Sequence, residues 1–429
     1  MTNWTVIVQE PKTSFVLQHQ LEQPLLELSL PSSKAANRIR TNFFDLLPQK
    51  TSLSPMLLDL CLISMVVYSA DIKIPRDISS DRWTRSITIH MPVHDVARWQ
   101  LVSEHLAKTL SFLSGDIWQF EFRAAKDEYL SEGAEVEPCD AVCLLSGGLD
   151  SLVGAIDLLA SSKRVALVGH HGAGITNAVQ QNVLERLQSE YGDQVAPFSF
   201  YVQAPRIEGS VNEQTMRARS FLFLCLGLAV CACVSKRVLT VAENGFISLN
   251  VPLTAARMGS LSTRTTHPFF IKSIMQLLRD LELDLEIELP YQFMTKGEMI
   301  RDAADQRTLR TIIPKTMSCT HPESGRYAGK APTNHCGYCV PCIIRRAALN
   351  VSGRDPTKYN VSIKRNAPNS HSAKGRDLRA FWIAVKRYQS RKAHQLLFDV
   401  VSSGPLDPLN IKKFVDVFDR GMKEVISIL

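Results

Sequence analysis

The chain has 429 residues, 45% of them hydrophobic and 21% charged, with a formal net charge of +7. That length can carry two or three domains with proper cores, and the balance is that of a globular protein, not a disordered, collagenous or small disulfide-stapled one. The start lacks the order of a secretion signal, and the longest uncharged apolar run, residues 221–234, falls short of the roughly 20 residues a spanning helix needs, so the expectation is a cytoplasmic protein with no membrane segment.

Residues 1–137 are expected to form a separate α+β domain. Short strand patterns occur at 5–8, 14–17, 86–90 and 118–122, and helical patterns at 56–69 and 96–113. No part of this unit has catalytic spacing. Asp71, Arg82 and Arg85 are accounted for as turn residues and solvated charges, and the acidic, proline-ended stretch 131–138 is the natural linker.

From Asp140 strand and helix alternate: strand patterns at 141–145, 165–168, 199–202 and 238–242, helical patterns at 151–160, 177–190 and 216–234. The alternation predicts an α/β fold, a doubly wound and mostly parallel sheet over residues 138–350, with its ligand at the carboxyl ends of the strands. The loops that matter then follow Leu145, Val168, Val202 and Ala242.

The first of these loops is Ser146-Gly147-Gly148-Leu149-Asp150-Ser151. Two glycines let the backbone turn sharply, so that successive N–H groups converge at the positive end of the following helix, and an anion is expected there. The spacing lacks the distal Gly-Lys-Ser/Thr of a Walker loop, so this is a different phosphate cradle. The loop after Val168 carries His170-His171-Gly172, where His171 is a candidate for positioning substrate. The loop after Ala242 carries Glu243-Asn244-Gly245, whose acid and amide suit the edge of a purine-like ring, although Asn-Gly is equally a turn signal.

Arg217 and Arg219 open the long helix, where an arginine fork could clamp phosphate or carboxylate; Arg217 is the candidate taken from the two. The stretch 259–268 is dense in hydrogen-bonding groups and makes a second substrate loop, with Arg264, Thr265 and His267 as its candidates. Thr295 to Glu298 fits a capping box and puts Lys296 at a helix start, near a phosphate.

Ten cysteines in a long chain with no secretion signal are expected as thiols or metal ligands. Cys61, Cys139, Cys143, Cys225, Cys231 and Cys233 lie in or beside apolar runs, where cysteine behaves as a small hydrophobe. Cys319, Cys336, Cys339 and Cys342 stand apart. Two residues between cysteines aim both thiolates at one ion, and four close a tetrahedral zinc site; an iron–sulfur cluster or catalytic dithiol uses similar spacing. Residues 351–429 are expected to be a basic helical extension. Between Arg345 and Lys392 there are 13 Lys or Arg against Asp355 and Asp377, which allows a nucleic-acid contact but fits a solvated helix face at least as well.

The Ser-Gly-Gly-Leu-Asp-Ser loop resembles that of the PP-loop ATP pyrophosphatases. Together with Met317-Ser318-Cys319, the stretch 290–300 and the segment from His335 to Arg346, it resembles the QueC family, the ATP-dependent 7-cyano-7-deazaguanine synthases, over about 140–350. The resemblance implies that Ser146, Gly147, Gly148, Asp150 and Ser151 bind ATP with its Mg, with Asp150 and Ser146 catalytic, and that the four clustered cysteines hold Zn. It also implies a 7-deazaguanine substrate. The family's Pro-Asp-Cys-Arg substrate segment is replaced here by 243–268, and the long form resembles the QueC-like proteins of bacterial anti-phage systems, most nearly the QatC type. For that branch the resemblance implies acyl transfer to an amine of a protein acceptor encoded nearby. tRNA thiolation, ammonia-dependent nitrile synthesis and a non-catalytic nucleotide-binding scaffold are the alternatives.

Overall fold

The computed structural model describes residues 3–17, 23–48, 53–127, 135–161, 163–171, 175–207, 212–213, 215–254, 264–329, 334–365, 367–369, 372 and 374–429. In the N-terminal part, β1 (Asn3–Gln9), β2 (Leu25–Ser29), β4 (Ser86–Val93) and β5 (Ile117–Ala124) form a sheet of order β2-β1-β4-β5. A short β3 (Arg40–Thr41) and α1 (Phe43–Leu46) follow β2; α2 (Pro55–Lys73) precedes β4, and α3 (Val96–Ser114) joins β4 to β5. Every pairing in this sheet is parallel. Parallel neighbours need long crossovers, which α2 and α3 supply. The expected α+β unit is therefore corrected to α/β. No strand forms at 14–17, because the side-chain amide of Gln9 takes both backbone groups of Phe15, at 2.7 and 2.9 Å, in place of a ladder.

The second sheet runs β11-β10-β6-β7-β8, again all parallel. Its strands are β6 (Ala141–Leu144), β7 (Val165–His170), β8 (Val195–Phe200), β10 (Val238–Thr240) and β11 (Glu286–Glu288). The helices between them are α4 (Leu149–Ala160), α5 (Ile175–Tyr191), α6 (Arg219–Cys233), α7 (Gly245–Leu249) and α8 (Pro268–Asp280). The chain winds from β6 to one side and returns through β10 to the other, so the switch point lies between the ends of β6 and β10, as the alternation predicts. The strand expected at 199–202 starts at Val195 instead, with Pro197 tolerated because β8 is an edge. The helix expected from Met216 starts at Arg219, since Met216 is left-handed (φ 38°).

The two sheets are not separately cored. Apolar side chains of the N-terminal sheet, α2, α6, α8 and one face of the second sheet form one continuous core. The units are also stitched at the backbone: β3 pairs antiparallel with β9 (Val202–Gln203), and the Asn42 amide bridges Ser199 O and Tyr201 N at 2.9 Å each. Among the described residues α2 alone is long and apolar enough to cross a membrane, and 83% of its apolar window is buried, mainly against α6. The run 221–234 is a buried helix, as expected.

Asp71 and Arg85 are not solvated, as the sequence suggests, but sit with Arg76 and Asp116 in a buried ion cluster. Arg85 meets Asp71 at 2.5 Å and Asp116 at 2.7 Å, and Arg76 meets Asp116 at 2.8 Å. The second oxygen of Asp71 accepts from Ala218 N at 2.8 Å, which fixes the approach to α6.

The C-terminal elements are α9 (Lys296–Asp302), α10 (Gln306–Ile312), α11 (Val340–Val351), α12 (Arg376–Ser390), α13 (Ala393–Val401) and α14 (Ile411–Ile426). The last three pack on α7 and α11 through a core that includes Phe246, Leu249, Phe381, Phe414 and Phe418. The basic tract does not form one face. Arg345 is wholly buried, Arg346 lies 3.8 Å over Tyr359, and Arg387 and Arg391 both face Asp399.

Candidate functional site

At the end of β6 the chain turns through Gly147 (φ 82°), a left-handed residue whose added Cβ would lie 3.1 Å from Gln180 Cγ. Gln180 of α5 clamps the turn, its amide donating to Ser146 O at 3.1 Å and to Leu145 O and His170 O at 3.3 Å. Met317 N donates to Gly147 O at 2.9 Å from the other side. Inside the loop Ser151 Oγ accepts from Ser146 N at 3.2 Å and lies 3.1 Å from Ser146 Oγ. The first N–H groups of α4 have no intrahelical partner and carry its positive end, so the loop could hold an oxyanion.

Asp150, in the first turn of α4, is the centre of a buried charged cluster. Lys296 Nζ lies 2.6 Å from one carboxylate oxygen and Asn244 Nδ2 2.7 Å from the other. Burial works against the Asp150 carboxylate, but Lys296, a hydrogen bond from Glu243 and the Asn244 amide outweigh it and hold its pKa below the usual range. Glu243 goes the other way: burial first, then the Asp150 charge, push its pKa well up. Of the two carboxyl groups, Glu243 is the one that keeps its proton to higher pH.

A pH prediction follows from Glu243. Its folded pKa lies above its unfolded one, so the stability it contributes is full below the unfolded value, near 4.5, and is lost as pH rises through the folded value. Glu243→Gln keeps a donor toward Asp150 but cannot ionise. The variant is expected to lose less stability than the parent as pH rises from about 4.5 toward neutral, by about 1 kcal/mol or more, in urea titrations at a series of pH values.

Lys296 reaches Asp150 because α9 starts in the capping box the sequence predicts: Thr295 Oγ accepts from Glu298 N, and Glu298 accepts from Thr295 N at 2.8 Å. The helix start is then gripped from α14. Glu424 accepts from Thr295 Oγ and, at 3.4 Å, from Gly297 N, while Arg420 bonds Glu298 at 2.6 Å and Phe293 O at 2.7 Å. No spacing in the sequence links positions 420–424 to 293–298, so this part of the site was not legible.

Beside the loop lies a cavity of about 500 Å³, lined by Ser146, Ser151, Met216, Arg219, Phe223, Glu243, Thr265 and Thr320 among others. Two of the expected substrate residues, Glu243 and Thr265, face it. Asn244 does not offer a free amide edge: it caps α7, accepting from Ile247 N at 3.0 Å, while its other end holds Asp150. Four further candidates are engaged elsewhere. Arg217 stacks 4.5 Å over Trp83, and Arg264 stacks 4.4 Å over Phe112 and donates to Phe112 O at 3.0 Å. His267 caps α8, accepting from Phe269 N at 3.1 Å, and its other nitrogen meets Ser403 at 3.1 Å. The His171 ring lies 6.4 Å from that of Tyr201 and does not line the cavity. Gly172 and residues 259–263 lie outside the described residues. Arg219 is the arginine of the opening pair that faces the cavity.

The sulfurs of Cys319, Cys336, Cys339 and Cys342 lie within 4.8 Å of one another. Cys336 and Cys342 are 3.8 Å apart and Cys339 and Cys319 3.9 Å, against the roughly 3.8 Å edge of a tetrahedron with Zn–S bonds of about 2.3 Å. Backbone N–H groups of His321, Cys336 and Cys339 point at the sulfurs at 3.3–3.4 Å, as thiolates in a knuckle require. Gly337 (φ 90°) makes the knuckle, and a Cβ there would meet Val361 O at 2.4 Å. The set could hold zinc. His335 accepts from Ser318 N at 3.3 Å, a structural use that leaves the four sulfurs as the ligand set.

The family model described as queuosine biosynthesis protein QueC matches residues 266–353, which span α8, Lys296 and all four clustered cysteines. The 7-cyano-7-deazaguanine synthases of Brucella ovis and Brucella suis are each 26% identical to the chain over 161 residues, covering 35% of this chain and 59% of theirs. The chain thus spans about 59% of the length of these curated relatives. The likeness is QueC-like in kind.

Proposed function

We propose that this chain is an ATP-dependent ligase of the QueC-like PP-loop type. It activates the carboxylate of 7-carboxy-7-deazaguanine as an acyl-adenylate and passes the acyl group to an amine, as a QatC-type component of an anti-phage system. The observation that carries the reading is the Asp150–Lys296–Asn244 cluster behind a glycine cradle at the mouth of a cavity sized for a nucleotide-like ligand. The likeness to deazaguanine synthases supports the substrate class.

Oxide is a poor leaving group, so a carboxylate cannot acylate an amine directly. In the first step a carboxylate oxygen attacks the α-phosphorus of ATP, the bond to the β-phosphate breaks, and pyrophosphate leaves. The N–H groups at the start of α4 and the loop hydroxyls of Ser146 and Ser151 receive that charge, with Lys296 behind them. Mg²⁺ would accompany the nucleotide, with Asp150 the nearest fixed carboxylate; the cysteine cluster lies at the start of α11, where a zinc ion would serve the fold. In the second step a neutral amine attacks the acyl carbon, AMP leaves, and the nitrogen gives up a proton. An α-amino group with a pKa near 7.7–8.0 is far more available at neutral pH than a lysine near 10.4, so the acceptor is the N-terminus of a partner protein.

The test is the intact mass of proteins encoded beside this chain, with and without it. One of them should gain the mass of the acid less water, dependent on ATP, at its first residue, and acetylation of that amine should stop the gain. Conversion of the free acid and ammonia to a nitrile, with every protein unmodified, would instead assign the synthase activity that the relatives' names carry. tRNA thiolation is disfavoured because the six cysteines outside the cluster are all buried, which leaves no exposed persulfide carrier among the described residues. Pyrophosphate release in the presence of the acid separates any ligase from a nucleotide-binding scaffold. Dependence on free ATP supports the cytoplasm as the compartment of such an enzyme.

A further inference from the structure

The guanidinium of Arg219 is a half-buried cation that faces the cavity and has no matching acid among the described residues. It sits in the first turn of α6, donates from Nη2 to His170 O at 2.7 Å, and meets His170 Nδ1 from Nε at 3.3 Å. His170 is itself neutral at ordinary pH, with its pKa pushed down to about 3 by burial and by Arg219. No carboxylate is paired with Arg219 among the described residues; the ionisable group that acts on it is the Tyr68 hydroxyl. The nearby carboxyl groups are engaged with one another: Asp150 is held by Lys296, and burial and the Asp150 charge push the Glu243 pKa up. A half-buried arginine with spare donors turned into a cavity is a ready fork for an anion.

Where that anion lies follows from the helix. Arg219, Ser220, Phe223 and Leu224 face the cavity together, one helical turn apart, so a charged fork stands next to an aromatic and aliphatic wall. In the reading given above, the glycine loop and Lys296 serve the phosphates, and Ser146 and Ser151 of that loop line the same cavity as Arg219. A flat aromatic ring with one oxyanion substituent matches the α6 side: ring against Phe223, oxyanion on the fork. We propose that Arg219 anchors the carboxylate of the acyl donor and is the residue by which the site demands an acid. The inference rests on the acyl-activating reading given above and names the residue that selects its substrate.

Calorimetric binding to the purified full chain tests it, with three probes: 7-carboxy-7-deazaguanine, 7-deazaguanine without the carboxyl group, and ATP. The parent should prefer the acid. Arg219→Met should lose about 10- to 100-fold for the acid, the worth of a charge-assisted hydrogen bond, falling to its affinity for the carboxyl-free base, while ATP affinity stays within about twofold. Arg219→Lys, which keeps the charge but not the fork, should fall between. The same three probes are read on Arg219→Gln if the methionine variant melts early. Unchanged preference for the acid in the variants overturns the proposal. So does loss of ATP or pyrophosphate binding with the acid unaffected, which would assign the fork to phosphate. A parent that binds neither acid nor base would overturn the acyl-activating reading itself, a result distinct from both.

Discussion

Asp150→Asn is expected to lower acid-dependent pyrophosphate release by about 10³-fold, as loss of a preorganised charge at a reacting centre does. The variant should fold with reduced stability, because asparagine fills the same volume and can still bond Asn244 but leaves the buried Lys296 without its anion. Lys296→Met is expected to be as inactive and less stable, since it leaves Asp150 buried without its cation, an arrangement that costs about 3–5 kcal/mol. The double variant separates the two effects: with both charges gone, stability should recover toward the parent while activity does not. Pyrophosphate assays and urea unfolding on the four proteins measure this. Normal pyrophosphate release by Asp150→Asn would remove the cluster from the mechanism, and ADP as the product would assign different nucleotide chemistry.

The second large effect is expected at the cysteines. Cys339→Ser should lose the metal and most of the soluble protein, because structural zinc contributes about 10 kcal/mol or more of folding free energy in small sites. The consequence should reach the glycine loop. Met317, two residues before Cys319, donates to Gly147 O at 2.9 Å, so loosening the knuckle frees one side of the cradle. Any soluble Cys339→Ser protein should bind ATP more weakly than the parent. Elemental analysis of fresh protein should return one zinc per chain; iron with visible absorption, or no metal at all, would overturn the zinc reading.

The parts of this fold and site that are local in sequence are the parts that could be read from it. The loop 146–151, the capping box at Thr295 and the cysteine cluster each announce themselves within a few residues, and each is where the spacing put it. What the sequence did not disclose depends on long-range pairing. Ser86–Val93 alternates like any strand, and only its place beside β1 makes the N-terminal unit parallel. Arg217 and Arg219 are equivalent as letters, and only the fold puts one over Trp83 and the other at the cavity. His267 and Arg264 look like substrate ligands because they stand in a polar stretch, yet Ser403 and Phe112, from distant elements, occupy them. Buried charge was the other blind spot: Asp71 and Arg85 carry no periodic signature of the cluster they form with Arg76 and Asp116.

The grip of α14 on the start of α9 has a consequence for biosynthesis. Glu424 and Arg420 hold the turn that aims Lys296 at Asp150, yet they leave the ribosome more than 100 residues after it. Until then a nascent chain can fold both sheets and close the cysteine knuckle while its lysine is still unaimed. Chains broken off between Cys342 and Arg420 would contain both sheets and the knuckle but lack the residues that aim Lys296, so synthesis to that point acts as a built-in check on completeness.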